Sequence, residues 1–215
     1  MKMSTKKITT IGMLCAMALV VNLLVYIPIV PAVSFLKYDP KDIVIVIGGF
    51  LYGPMASLIM SAITSVLEIM MRGGTILDVL MNMISTCTFA CTAAYLYQRH
   101  HSKTGALQGL IIGTIFAVLS MLIWNYVITP IYFGMPREAV IKILLPGILP
   151  FNLLKCALNS GVVLFLYQPV ASIFQRTSLV EQHKTETGFT KGTIVFGGFL
   201  SVSIIVFILG FQGIL

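Results

Sequence analysis

The run GALQGLIIGTIFAVLSMLIWNYVIT, at residues 105–129, contains no charged side chain over 25 positions. An α-helix needs about 20 mostly apolar residues to cross the hydrocarbon core of a bilayer. Such a helix also satisfies its backbone N–H and C=O groups internally, which is necessary because the hydrocarbon core contains no water to bond them. The run therefore predicts a membrane-spanning helix, and it decides the fold class because its neighbours have the same character.

The composition of the whole chain excludes several classes of protein. Hydrophobic residues make up 58% of the 215 residues and charged residues 10%, against roughly 45–50% and about 25% in soluble domains. So few charges cannot cover a soluble globule, which excludes a water-soluble enzyme, a disordered tail and a nucleic-acid-binding domain. We therefore interpret the net charge of +7 as a signal of membrane topology, with lipid as the surrounding partner.

Six apolar runs predict an all-α integral membrane protein built as a six-transmembrane-helix bundle. They lie at residues 8–30, 43–51, 55–71, 76–97, 105–129 and 151–174. The second run is short and ends at the helix-breaking sequence Tyr52-Gly53-Pro54. We expect the bundle to form one domain over residues 8–175, followed by a polar linker at 176–191. The apolar segment at 192–215 is expected to form an extra C-terminal hydrophobic helix, as a seventh span or a peripheral anchor.

Basic residues favour one orientation in the plasma membrane. Lys2, Lys6 and Lys7 precede the first span and predict a cytoplasmic N-terminus. With that orientation eight basic residues face the cytoplasm: Lys2, Lys6, Lys7, Arg99, Lys103, Arg176, Lys184 and Lys191. Five face outward: Lys37, Lys41, Arg72, Arg137 and Lys142. The excess on the inner side agrees with the rule that cytoplasmic loops are richer in lysine and arginine.

The polar residues within the predicted spans all fall in the outer half of the bundle. They are Glu68, Asn82, Trp124, Asn125, Asn152, Lys155 and Asn159. Asn152, Lys155 and Asn159 share one helix face because their spacing is i, i+3, i+7. A lysine within a span costs at least about 2.5–3.5 kcal/mol, so Lys155 snorkels, forms a structural pair or contacts a ligand. The flanking asparagines favour a ligand, because their amide groups also need partners.

Other polar residues have structural interpretations beside functional ones. Asn125 lies between aromatic residues and suits either a ligand contact or an amide contact between helices. Glu68 is expected to be an interfacial carboxylate near Arg72, four residues along the same helix. Asp42 is expected to cap the N-terminus of the second helix. Asp39 is then freer to contact a ligand.

No catalytic or metal-binding motif occurs in the sequence. The HExxH, GxSxG and P-loop patterns are absent, and the aspartates do not form the clusters that membrane transferases need. Cys15, Cys87, Cys91 and Cys156 all lie in apolar runs, and no histidine completes a metal set. We therefore expect no catalytic residue, no metal and no cofactor. Without a nucleotide-binding segment, uphill transport would need a partner or an ion gradient.

Three segments resemble a known family in order and spacing across about residues 8–175. They are FLKYDPKD at 35–42 with GGFLYGP at 48–54, then Asn125-Tyr126 with Pro130 and Tyr132, and LPFNLLK at 149–155. This pattern is similar to the substrate-binding S components of energy-coupling-factor (ECF) vitamin transporters, in particular their riboflavin-specific branch. The resemblance implies a six-helix bundle that binds a vitamin near its outer face under the loop after the first helix.

The resemblance also implies a function and a set of binding residues. These are Leu36, Tyr38 and Asp39 in the loop, with Asn125, Asn152 and Lys155 on helices. Riboflavin would be the transported substrate, captured outside and delivered with an ATP-driven module of one transmembrane coupling protein and two ATPases. Docking is expected along Gly12 and Ala16 of the first helix. The alternatives are another ligand, such as a flavin nucleotide or a different vitamin, and a stand-alone secondary transporter.

Overall fold

The computed structural model describes residues 4–30, 33 and 35–176, and these form an almost entirely helical bundle. The helices are α1 (Thr5–Leu24), α2 (Lys41–Tyr52), α3 (Pro54–Arg72), α4 (Ile76–His100), α5 (Lys103–Phe133), α6 (Arg137–Ile143) and α7 (Leu149–Arg176). A π-helical turn, Leu144–Ile148, joins α6 to α7. Within these residues no strand occurs, apart from an isolated bridge between Ile27 and Tyr38.

Five helical segments of the described chain are long and apolar enough to cross a membrane. They are α1, α3, α4, α5 and the continuous unit from Arg137 to Ile173. The all-α membrane class is therefore confirmed. Helix α2 has 12 residues and is only about 18 Å long, so the count of six spanning helices stays a prediction. The domain limits also stay predictions, and residues 177–215, with the expected linker and C-terminal helix, lie outside the described residues.

Helix α2 is short because the chain turns sharply at its end. Gly53 has a φ of 96°, which glycine adopts without steric cost, and Pro54 begins α3 at a position that needs no N–H donor. The sequence Tyr52-Gly53-Pro54 thus separates α2 from α3 at the predicted position.

Helix α2 occupies the middle of the bundle, in contact with α1, α3, α4 and α7. Every residue from 41 to 50 is buried. A Cβ atom added at Gly49 would lie 2.0 Å from Ser57 Oγ and 2.8 Å from Ala94 Cβ, so glycine permits the close approach of α2 to α3 and α4. The helix is buried on all sides, and its polar residues must therefore find partners inside the protein.

An apolar cluster holds the loop between α1 and α2 against the rest of the bundle. It comprises Ile29, Val30, Val33, Leu36, Tyr38, Ile148 and Phe151. Gly147 of the π-helical turn lies directly under the loop, since an added Cβ would be 2.6 Å from Val33 Cγ1. This packing places the loop over the ends of α3, α4, α5 and α7, where a cavity opens.

Candidate ligand-binding site

A cavity of about 250 Å³ lies beneath the α1–α2 loop. Its lining residues come from this loop, from four helices and from the turn between α3 and α4: Tyr26, Phe35, Leu36, Lys37, Asp39, Glu68, Ile69, Arg72, Gly73, Gly74, Asp78, Met81, Asn82, Ser85, Met121, Asn125, Tyr132, Phe151, Asn152 and Lys155. Aromatic and aliphatic side chains alternate there with amide, carboxylate and ammonium groups. Sites for small organic molecules have this mixture of apolar surface and a few placed polar groups.

Two buried ammonium groups link three carboxylates in the wall of the cavity. Lys155 Nζ lies 2.5 Å from Asp39 Oδ1 and 3.2 Å from Asp42 Oδ2. Lys41 Nζ lies 2.9 Å from Asp39 Oδ2 and also donates to Glu68 Oε2. Each charge thus has an opposite partner, which a buried ion requires. Burial alone raises the pKa of the Asp39 carboxyl, but the two ammonium groups hold it below its ordinary value.

Neutral side chains extend this charged network. The Thr86 hydroxyl donates to Asp42 Oδ1 at 2.7 Å, and Asn82 Nδ2 donates to Glu68 Oε2 at 3.4 Å. Arg72 Nε lies 3.9 Å from Glu68 Oε1, beyond hydrogen-bond distance. The network therefore runs from α2 to α3, α4 and α7 and fixes the charged part of the wall.

Two carboxamides of the wall are oriented by hydrogen bonds to the preceding helical turn. Asn125 Nδ2 donates to the Met121 carbonyl at 2.8 Å and its Oδ1 accepts from the Thr129 hydroxyl at 2.9 Å. Asn152 Nδ2 donates to the Ile148 carbonyl at 2.8 Å. Each carboxamide has two donor hydrogens and two acceptor lone pairs, so these bonds leave capacity for a ligand.

The mouth of the cavity is framed by aromatic contacts. The Tyr26 ring lies 3.6 Å from the Arg72 guanidinium carbon and 4.9 Å from Lys37 Nζ. Arg72 also donates to the Asn22 carbonyl at 2.5 Å and so ties the end of α1 to α3. On the other side Tyr132 donates to Asp78 Oδ2 at 2.9 Å. These contacts hold the loop and the helix ends around the opening.

The structure brings five of the six predicted binding residues to one cavity. Leu36, Asp39, Asn125, Asn152 and Lys155 line it. Tyr38 lies behind the wall, where its hydroxyl donates to Asn159 Oδ1 at 2.9 Å. The binding roles of all six residues stay predictions.

The structure corrects two structural predictions about carboxylates, the one for Asp42 fully and the one for Glu68 in part. Pro40 occupies the N-cap of α2, and Asp42, which was expected there, turns inward to Thr86 and Lys155. Glu68 lies near Arg72 as expected, with 3.9 Å between Oε1 and Nε, but it is buried with 3% of its surface exposed rather than interfacial, and Lys41 is its close partner. The i+4 spacing suggested only the partner on its own helix, whereas packing supplies one 27 residues away.

Lys41 is a residue of the site that sequence reasoning missed. It was counted among the outward-facing loop charges, yet its side chain is completely buried between Asp39 and Glu68. The available signal was its position directly before the apolar run of α2, between two aspartates. Among the described residues, no three histidine, cysteine, aspartate or glutamate side chains gather into a metal-binding group.

Comparison with known proteins places this arrangement in a family. The sequence model of the family "ECF transporter, substrate-specific component" matches residues 6–167. The riboflavin transporter RibU of Staphylococcus aureus (strain TCH60) is 30% identical over 178 residues, covering 80% of this chain and 93% of that protein. The riboflavin transporter FmnP of Bacillus subtilis (strain 168) is 31% identical over 163 residues, covering 71% and 85%.

The same relationship holds for the three-dimensional structure. A solved structure of the S component of a bacterial ECF transporter superposes with a TM-score of 0.69 at 29% identity, covering 80% of this chain and 98% of that one. Residues 6–167, which the family model matches, include the loop, the cavity and the helices that frame it. The chain therefore belongs to the family of ECF transporter substrate-specific components.

Proposed function

We propose that this chain captures riboflavin at the outer face of the membrane and delivers it to the cytoplasm together with an ATP-driven ECF module. As a member of its family it is a substrate-binding subunit of an uptake system and not an enzyme. The names of its relatives support riboflavin as the substrate. The observation that carries the proposal is a cavity that combines two carboxamides and a buried lysine with aromatic and aliphatic side chains.

The chemistry of the isoalloxazine ring suits this cavity. The ring system is flat, and its pyrimidine edge carries carbonyl oxygens, ring nitrogens and one N–H group. Asn125 and Asn152 can donate to and accept from this edge, and Lys155 can donate to a carbonyl. Leu36 and Phe151 offer apolar surface to the ring faces. The polar edge of the ring thus meets amide and ammonium groups, and its apolar faces meet apolar side chains.

The α1–α2 loop is the element that covers the bound vitamin in this proposal. It contributes Leu36 and Asp39 to the cavity and is tied to α7 through the ion pair of Asp39 with Lys155. Capture would be followed by closure of this loop and then by reorientation of the whole bundle, driven by the ATPases. Riboflavin is a substrate here, not a cofactor.

The proposed partners are one transmembrane coupling protein and two ATPase subunits. Helix α1 offers a suitable surface, because Gly12 and Ala16 are exposed on one face and an added Cβ at Gly12 would meet nothing within 4 Å. Small exposed residues let a partner helix approach closely in a membrane.

The direct test is a binding titration with the purified protein. Riboflavin, flavin mononucleotide and thiamine are each added to the protein in detergent, with quenching of flavin fluorescence and calorimetry as the readouts. A yellow preparation that binds riboflavin tightest supports the proposal, and tighter binding of thiamine contradicts it. Lys37 and Arg72 at the mouth favour flavin mononucleotide as the second candidate, because its phosphate needs cations.

Uptake measurements separate the subunit from a stand-alone carrier. The chain is expressed in cells without a riboflavin transporter, alone or with a coupling protein and two ATPases. Uptake that needs all three partners supports the ECF mechanism, whereas ATPase-independent uptake favours a secondary transporter.

A further inference from the structure

Two cysteines of α4 form a pair of thiols outside the ligand-binding cavity. Cys87 and Cys91 lie four residues apart on this helix, and both thiols are free. Residues at this spacing are neighbours on one helix face, with Cβ atoms about 5–6 Å apart. The two thiol groups also interact directly. Neither residue lines the cavity beneath the α1–α2 loop, so the pair is a separate chemical feature of the bundle.

The pair is accessible from the lipid side of α4. Cys87 and Cys91 are both partly exposed, whereas Cys15 and Cys156 are buried. Leu80 precedes Cys87 by two helical turns and Tyr95 follows Cys91 by one turn, so the four residues share a face. Leu80 is 41% exposed and Tyr95 48%. An apolar reagent that dissolves in the bilayer or in detergent can therefore reach both thiols.

The spacing of the pair favours a bridge through a third atom over a disulfide. A disulfide needs Cβ atoms about 3.5–4.5 Å apart, which is closer than the about 5–6 Å between neighbouring turns of a helix. A bridge from sulfur to a central atom to sulfur contains one more bond and spans a longer distance. The central atom must be soft enough to prefer sulfur. It must also need only two protein ligands, because no group of three metal-binding side chains occurs among the described residues.

We propose that Cys87 and Cys91 form a dithiol site for thiophilic groups that bond two sulfur atoms, such as trivalent arsenicals with one organic substituent. With phenylarsine oxide as the probe, the arsenic atom forms two As–S bonds and loses its oxygen. The two thiol protons leave with that oxygen as water, so the step needs no oxidant or reductant. The second bond forms within one molecule, at a high effective concentration. The site therefore holds the arsenical more firmly than any single thiol does.

The test measures how firmly the purified full chain retains phenylarsine oxide in detergent. The protein is treated with one equivalent of the probe and then with an excess of 2-mercaptoethanol, a monothiol that removes arsenic from single cysteines. The mass of the intact protein reports the adduct that remains. Cys87→Ser and Cys91→Ser each remove one thiol of the pair, and Cys15→Ser and Cys156→Ser are the matched controls on α1 and α7. Thermal unfolding of each variant checks that the bundle is intact.

We expect one retained phenylarsenic group per chain in the unsubstituted protein and in both controls. Cys87→Ser and Cys91→Ser should each lower the concentration of 2-mercaptoethanol needed for release at least about tenfold, because each leaves a single As–S bond. An unsubstituted protein that retains no adduct, or a Cys87→Ser variant that retains it as firmly, would overturn the site.

Oxidation tests the same geometry with a different reagent. Diamide, which converts neighbouring thiols into disulfides, should leave Cys87 and Cys91 unlinked, because the helix holds their Cβ atoms too far apart. A peptide map after diamide treatment measures this. A disulfide between the two residues would show that the pair is closer than one helical turn allows and would contradict the proposed geometry.

Discussion

The two ends of helix α2 are held in place by different interactions. At its first residues, Lys41 and Asp42 are buried in a charged network beside a cavity. At its last turns, Gly49 approaches α3 and α4 closely, and the Phe50 ring stacks on Tyr97 at 4.5 Å. One end is held by ion pairs around open space, and the other by close packing.

This difference suggests that the two ends of one short helix have different roles, one in supporting the fold and one in binding. Close packing is stiff, because even one added methyl group must displace its neighbours. Ion pairs and hydrogen bonds can exchange partners, and a ligand with polar edges can enter such a network. The packed end thus serves as the support and the charged end as the site. The predictions that follow test this division, from the largest expected effect to the smallest.

Replacing Lys41 by methionine should have the largest effect on stability. The substitution keeps the length of the side chain but leaves Glu68 without its ammonium partner, and Asp39 with only one of two. Breaking a buried ion pair from one side costs about 3–5 kcal/mol. We expect a loss of this size in the free energy of unfolding in detergent. Lys37→Met is the matched control, because exposed Lys37 lies over the Tyr26 ring and forms no ion pair with a described residue, and should cost under about 0.5 kcal/mol.

An unchanged stability of Lys41→Met would contradict the assignment of the network as the element that holds the charged end together. A double variant, Lys41→Met with Glu68→Gln, sharpens the result. This variant removes both charges of one ion pair. Its loss in the free energy of unfolding should therefore be smaller than the sum of the losses in the two single variants.

At the packed end, Gly49→Ala should cost about 1–3 kcal/mol, because the added methyl group overlaps Ser57 Oγ and Ala94 Cβ. The matched control is Gly12→Ala, where the added atom meets nothing within 4 Å. Unfolding in detergent measures both. If the packed end is only a support, riboflavin binding by folded Gly49→Ala should change less than about threefold. A larger loss of affinity with little loss of stability would show that this end takes part in binding.

Asn152→Ala should show the opposite pattern at the charged end. Its carboxamide lines the cavity, and its one hydrogen bond among the described residues goes to the Ile148 carbonyl of the π-helical turn, so its removal affects the ligand more than the fold. We expect riboflavin affinity to fall at least about tenfold, or about 1.4 kcal/mol.

Lys155→Ala should lose at least as much affinity, and stability as well, because Asp42 loses its ammonium partner. Titrations that match the unsubstituted protein in both variants would refute the site.

The sequence predicts well the features that depend on neighbouring residues. Five of the six apolar runs correspond to helices that are long and apolar enough to span a membrane, the Gly53-Pro54 pair marks the break, and the i+3 spacing places Asn152 and Lys155 on one face. Each follows from local geometry. The pairing of Lys41 with Glu68 could not be predicted in this way, because the two residues lie on different helices.

The wrong prediction for Asp42 has the same cause, because its partners also lie on other helices. A capping role is the expected one where a helix begins in water. Helix α2 instead begins inside the bundle, where Lys155 and Thr86 supply stronger partners. Knowing this requires knowing that the loop folds over the cavity, and that depends on contacts far apart in the chain, such as Val33 with Gly147.

Tyr38→Phe tests the boundary between the cavity and the structure behind it, and it should have the smallest effect. The variant removes one hydroxyl, whose described bond goes to Asn159 Oδ1 behind the wall. We expect a loss of about 1 kcal/mol in the free energy of unfolding, with riboflavin affinity within about threefold of the unsubstituted protein. The Asn159→Ala variant should behave in the same way, because it breaks the same bond from the other side. A tenfold loss of affinity in Tyr38→Phe alone would instead place its hydroxyl against the ligand, as the family resemblance implies, and would extend the charged end of α2 by one more residue of the loop.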